Sequence, residues 1–274
     1  VRVGYNLLES ADPEERLEDA ALFKAIHDAF PEGSVVGLHS GLDVVPPCDV
    51  YYGREKLFGA PRPPLRYWED PVFLANAGRS FKTLQIDEAE VEVRRLHGLG
   101  KHAFVKDTRD KKMALKVPRG KTIHDVIEDN IYTYIDGGPP LMVQEFYPMI
   151  FEHRFFVVNR KIVTDSPNAV HLTPLDFNPR EVYYSSGQLG YRTPRHRRPE
   201  RRATYWRAHM VDLVRRVART MERPDAVIDV AFHRDYEDRP VLVEFNPLVV
   251  GGVGLFACDV RALAKAIRKR DYVK

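Results

Sequence analysis

Asp229 in the run AVIDVAF and, further on, Glu244 and Asn246 in VLVEFNP are three hard-oxygen side chains at a spacing that suits a divalent cation. Both runs are rich in β-branched and apolar residues and flank the polar RDYEDRP, so they read as neighbouring antiparallel strands. Glu244 and Asn246 sit two apart and therefore share a face, and the partner strand brings Asp229 beside them. Oxygen ligands of this kind hold Mg²⁺ while substrate phosphates and water complete its octahedron, which is an arrangement for nucleotide chemistry. The competing reading is a pair of solvent-side carboxylates on an amphipathic hairpin. Against it, Asp229 and Glu244 are embedded among apolar neighbours, where an unpaired carboxylate is costly and a cation is the usual remedy.

Three cations lie upstream in suggestive company. Lys106 in AFVKD and Lys116 in ALKVP fall on two apolar stretches joined by the polar DTRDKK, the pattern of a hairpin. Flanked by Phe104, Val105, Leu115 and Val117, they are expected to point inward rather than to serve as surface charge. Arg154 stands among phenylalanines in FEHRFF and needs an acid for company, with Glu152 the nearest candidate.

The elements that position these groups follow from pattern. Asp12-Pro13-Glu14-Glu15 opens a helix to about Ala29, with Asp12 as N-cap. VVGL and DVYYG are strands of a small α/β unit that ends near the proline-rich APRPPLRYW. A helix over DEAEVEVRRLHG closes at Gly98, Thr122 caps a helix carrying Ile123, Val126, Ile127, Ile131 and Tyr134, and LMVQEFY is a strand. HRFFVVNRKIVTD forms two strands that reverse at Asn159 and Arg160. Trp206, Met210, Leu213, Val214, Val217 and Met221 mark one face of a long amphipathic helix suited to packing on a sheet, and a last helix spans about Asp259 to Lys269.

The chain of 274 residues, 44% hydrophobic and 30% charged, has the balance of a folded protein rather than a disordered one. No apolar run reaches the length of a membrane span and the start lacks the core of a secretory signal, so a cytoplasmic protein is expected. Cys48 and Cys258, far apart, make neither a disulfide framework nor a thiolate cluster. A net charge of +3 is too small to announce a nucleic-acid binder, yet RTPRHRRPERR at 192–202 gathers six arginines against one glutamate. That segment reads either as a solvated loop or as a surface facing an anionic substrate.

The order of these features resembles the ATP-grasp enzymes over roughly residues 80–260: lysines on a small hairpin, a strand ending in an acidic hinge, an arginine on a paired strand, then Asp and Glu-x-Asn on two late strands. It is most similar to a phage and bacterial clade marked by one arginine and two lysines, which implies host cytoplasm if the chain is phage-encoded. The resemblance implies an α+β architecture of two lobes that clamp ATP, preceded by a small α/β domain, with divisions at 1–80, 81–143 and 144–274. It implies that Lys106 and Lys116 reach the nucleotide phosphates. Gln144, Glu145, Phe146 and Tyr147 would form the hinge that holds adenine through main-chain hydrogen bonds and apolar side chains. Arg154 would face the phosphates or an acyl phosphate, and with Lys116 would act in catalysis. Asp229, Glu244 and Asn246 would bind one or two Mg²⁺ ions, with Mn²⁺ as a substitute.

The implied reaction joins a carboxylate to an amine through an acyl phosphate, on small-molecule or peptide substrates, in a chain that is often a dimer in this family. The glycine-bearing GGVGLF at 251–256 would lie near the acceptor. DTRDKK departs from the glycine-rich loop that many members place over the phosphates; Arg109 and Lys111, or the Pro118-Arg119-Gly120 turn, are its candidate substitutes. Two alternatives accompany the ligase: a kinase that stops at a phosphorylated product, and a nucleic-acid-binding or modifying protein that uses the 192–202 arginines.

Overall fold

A computed structural model describes residues 1–7, 13–38, 46–53, 66–108, 113–129, 138–168, 172–177, 201–233, 236–248 and 254–272. By its internal contacts the chain forms two compact units, Val1–Leu65 with Met149–Lys274, and Arg66–Pro148. The expected divisions at 80 and 143 therefore differ from the contact boundaries, and the N-terminal segment packs in the same unit as the C-terminal one.

In the larger unit, β1 (Val3–Asn6) lies between β2 (Val35–Leu38) and β3 (Val50–Gly53) in a parallel three-stranded sheet. The expected N-terminal helix is α1, Pro13–Ala29; its proposed cap, Asp12, lies outside the described residues. The second sheet of this unit is antiparallel in the order β11-β10-β8-β9. Its strands are β8 (Met149–Val158), β9 (Lys161–Pro167), β10 (Ala226–His233) and β11 (Tyr236–Asn246). β8 and β9 reverse at Asn159 and Arg160, both with positive φ, the backbone sense that matches strand twist in a two-residue hairpin.

Helix α5 (Arg201–Thr220) packs on all four strands of this sheet. Trp206, Met210, Leu213, Val214, Val217 and Met221 are all buried, as their helical spacing requires. The opposite face joins the two sheets. Phe156 and Val227 share one apolar cluster with Val3 and Tyr5 of β1, Ile26 of α1, and Leu263 and Ile267 of α6 (Val260–Tyr272). A small parallel sheet of three four-residue strands cannot bury enough apolar surface by itself, and this shared cluster gives it a core. Helix α6 extends past the expected Lys269, and Asp259 caps its start by accepting from the Arg261 and Ala262 amides.

The smaller unit is an antiparallel sheet in the order β4-β7-β5-β6. β5 (Ala103–Asp107) and β6 (Ala114–Val117) are the expected hairpin, and β7 (Leu141–Glu145) is the expected strand. β4 (Phe81–Leu84) and the short α2 (Pro71–Asn76) were not evident from pattern; Asp70 caps α2 by accepting from the Val72 and Phe73 amides. Helices α3 (Ile86–Gly98) and α4 (Ile123–Asp129) bury Val93, Leu96, Ile123 and Ile127 against Val105, Leu115, Val117 and Val143. Thr122 caps α4 by accepting from the Asp125 amide. Ile131 and Tyr134, placed by pattern on the same helix, lie outside the described residues.

Candidate functional site

Strand register in the larger unit assembles a polar row. Glu244 lies directly opposite Asp229, Asp229 opposite Arg154, and Arg154 opposite Ser166, across β11, β10, β8 and β9. The three oxygen side chains singled out from spacing come together. Asn246 Nδ2 donates to Glu244 Oε1 at 2.8 Å and to Asp229 Oδ2 at 3.3 Å. A shift of register next to Asp229 marks an irregularity in the β10–β11 ladder, a feature that re-aims side chains beside functional sites.

Arg154 supplies the neutralising cation in this structure. Its Nε and Nη2 donate to the two oxygens of Asp229 at 2.7 and 2.6 Å, a bidentate pair in which the Asp229 side chain is 0% exposed. Its Nη2 lies 4.0 Å from Glu244 Oε1. Burial alone opposes charge on Arg154, but Asp229 outweighs it through charge and hydrogen bonding, and the guanidinium is held protonated above its ordinary range. The expected partner of Arg154, Glu152, acts on it through charge and accepts from Asn168 Nδ2, while the bidentate pair goes to Asp229. Adjacent strands, rather than sequence neighbours, decided the pairing.

Glu152 lies on the same face and is the least comfortable carboxyl of the group. Burial, then the negative charges of Asp229 and Glu244, push its pKa up to about 7. Four acidic side chains, Glu18, Glu152, Asp229 and Glu244, thus act electrostatically around one guanidinium. Glu18 was missed by sequence reading, because nothing in the pattern of α1 connects it to residues more than two hundred positions away. Its Oε1 accepts from the Phe256 amide at 2.6 Å.

On the opposite face of the sheet, His153, Asp165 and Arg207 form a second charged cluster. Asp165 accepts from Arg207 and is hydrogen-bonded to His153 Nε2 at 2.7 Å. Burial raises its pKa, but those two partners outweigh it and hold the carboxyl well below the ordinary range. This cluster ties α5 to β8 and β9.

In the smaller unit the two lysines do share a face, though not the expected one. Phe104 pairs with Lys116 and Lys106 with Ala114, and both lysines lie on the side of the sheet away from the α3–α4 core. Strand alternation sends Val105, Leu115 and Val117 into the core and the lysines to the other side, so apolar neighbours in sequence do not imply an inward lysine. Lys106 is half-buried, with Nζ 3.3 Å from the Tyr67 hydroxyl. Lys116 is exposed, with Nζ 4.5 Å from the centre of the Phe146 ring.

Gln144 belongs to the same face, opposite Phe104, and is buried; its Oε1 accepts from Arg79 Nε at 2.9 Å. Glu145 pairs with Lys101, and Tyr147 lies 5.9 Å from the Arg79 guanidinium. The Phe146 amide donates to the His102 carbonyl, so that hinge amide is already engaged. Arg109 and Lys111 lie outside the described residues, as do residues 192–200 of the basic segment and 251–253 of GGVGLF. Among the described residues, no three His, Cys, Asp or Glu side chains form a metal cluster by themselves. The set at β10 and β11 is two carboxylates and an amide, whose hard oxygens are chemically suited to Mg²⁺. No helix among the described residues is long and apolar enough to cross a membrane.

The sequence matches no family model and no curated protein. In fold, however, it is similar to several solved structures along nearly its whole length. D-cycloserine synthetase DcsG superposes with a TM-score of 0.57 at 12% identity, covering 100% of each chain. The RimK-domain ATP-grasp protein from Sphaerobacter thermophilus gives 0.52 at 16% identity over 97% of this chain and 98% of that one. The ATP-grasp ligase PsnB, complexed with a minimal precursor, Mg and ADP, gives 0.50 at 12% identity over 98% and 96%.

Proposed function

With the ATP-grasp fold of this chain as premise, we propose that it is an ATP-dependent ligase that joins a carboxylate to an amine through an acyl phosphate. The observation that carries this reading is the row of Glu244, Asp229 and Arg154 in strand register, with Asn246 bonded to both carboxylates. Asp229, Glu244 and Asn246 would hold Mg²⁺, the ion taking over part of the charge compensation that Arg154 gives Asp229 in this structure. When bound there, the ion would neutralise nucleotide phosphate oxygens.

The other roles fall to this chain's own cations. Lys106 and Lys116 would bind phosphate oxygens as compact point charges, and Arg154 would present its planar donors to the transferred phosphoryl group. A substrate carboxylate oxygen attacks the γ-phosphorus as the bond to ADP breaks. The amine nitrogen then attacks the acyl carbon and phosphate leaves. Gln144, Glu145 and Tyr147 would hold the adenine end of the nucleotide, with the engaged Phe146 amide leaving other main-chain groups to make the polar contacts.

PsnB in complex with Mg and ADP supports the nucleotide and metal. Of the neighbours, one is a D-cycloserine synthetase and PsnB is complexed with a minimal precursor. Both a small-molecule and a peptide substrate fit a carboxylate-amine ligase. Glu244→Ala is the direct test, because Glu244 is partly exposed and its loss leaves the Arg154–Asp229 pair intact. ATP turnover should vanish while the thermal transition is kept; full turnover in that variant would remove the metal assignment.

A further inference from the structure

A short turn at 254–259 closes over Arg154, and three side chains from other elements pin it. Thr164 Oγ1 accepts from the Asp259 amide at 2.8 Å and Ser166 Oγ accepts from the Ala257 amide at 3.0 Å, both from β9. The third is Glu18 of α1, on the Phe256 amide at 2.6 Å. It holds the tip, where Gly254 and Phe256 both have positive φ, +70° and +49°. A phenylalanine pays strain in that region and keeps it only where its surroundings fix it.

That tip grips the guanidinium. Arg154 Nη1 donates to the Gly254 carbonyl at 3.1 Å, and the Phe256 ring lies 5.1 Å from the guanidinium carbon. A Cβ at Gly254 would meet the Phe256 ring at 2.8 Å and Arg154 Nη1 at 3.1 Å, so the turn is fitted to this contact. Arg154 is thus held on one edge by Asp229 and on another by the turn.

We propose that Glu18 is a positioning residue for Arg154, acting through the Gly254–Phe256 tip to keep the guanidinium aimed at the site where a terminal phosphate is bound. The proposal rests on the nucleotide-binding reading above. It gives the N-terminal segment a part in the chemistry. Thr164 and Ser166 keep the rest of the turn in place when Glu18 is changed, so the effect is local to the tip.

The test compares binding of Mg·ADP and of the Mg complex of a non-hydrolysable imido analogue of ATP, by calorimetry, to the full chain and its Glu18 variants. Charge-assisted hydrogen bonds from a well-placed arginine make the extra phosphate worth about tenfold or more in affinity. Glu18→Ala should lose that preference while binding Mg·ADP as the unmodified chain does. Glu18→Gln, whose amide oxygen still accepts from the Phe256 amide, should keep most of it. Gly254→Ala should lose the preference as Glu18→Ala does. If Glu18→Ala keeps the preference, or weakens both ligands equally, Glu18 does not position Arg154 and the proposal falls while nucleotide binding stands. If the unmodified chain binds neither complex, the nucleotide reading fails and takes this one with it.

Discussion

The two polar faces of this protein are built on opposite physical terms. On the sheet of β8 to β11, charge is buried and answered internally: Asp229 is fully enclosed, and the guanidinium of Arg154 occupies both of its oxygens. On the sheet of β4 to β7, Lys116 is exposed and Lys106 half-buried, and they rest against Phe146 and Tyr67. A buried carboxylate must have its partner fixed in place before any ligand arrives, because the cost of leaving it unpaired is several kcal/mol. The exposed ammonium of Lys116 keeps its hydration and can do without a buried counter-charge. One face is therefore pre-organised and tied to stability, and the other is free to respond to a ligand at little cost to the fold.

Substitution of Arg154 breaks this contrast most severely. Arg154→Met leaves Asp229 buried without its cation and should cost about 3–5 kcal/mol of unfolding free energy, read from urea denaturation. A loss below about 1 kcal/mol would mean that the pair is hydrated rather than enclosed.

The charged cluster on the reverse of the same sheet gives a smaller, pH-dependent effect. His153 and Arg207 hold the Asp165 carboxyl below its ordinary range, so its folded pKa is depressed relative to the unfolded chain. Such a group contributes stability that is complete above the unfolded value, about 3.9, and is lost as pH falls through the folded value. Asp165→Asn should thus be less stable than the unmodified chain at neutral pH by about 1.5–3 kcal/mol. The gap should close as the pH is lowered below about 4, in thermal melts recorded side by side. A gap that persists unchanged into acid would show that Asp165 contributes by packing alone.

The smallest stability effect belongs to the open face. Lys116→Met should change unfolding free energy by less than about 0.5 kcal/mol, yet weaken Mg·ADP binding about tenfold if the ammonium meets phosphate. Equal binding in both proteins would leave Lys116 as an ordinary surface lysine, and a large stability loss would mean that its contact with Phe146 is structural.

Particular residues show where pattern sufficed. The helical spacing from Trp206 to Met221 specified which face of α5 is buried, because a 3.6-residue period admits one apolar stripe. Glu244 and Asn246 share a face for the corresponding reason on a strand, and the hairpin logic of two apolar runs about a polar connection brought Asp229 opposite Glu244. The short β4 is not legible in pattern because FKTL is too brief and too polar for its alternation to stand out, and β1 likewise needs its neighbours to be recognised.

Local periodicity in this chain thus determined most of the longer elements, the buried face of α5 and the convergence of Asp229, Glu244 and Asn246. The register of their hairpin put Lys106 and Lys116 on one face, and the packing of α3 and α4 decided that this face lies away from the core. Tertiary structure alone gave Arg154 to Asp229 instead of Glu152 and brought Glu18 to the turn over the guanidinium. Periodicity acts within a few residues along the backbone, whereas these pairings join strands and helices distant in sequence, whose register is set by the whole of the core they bury.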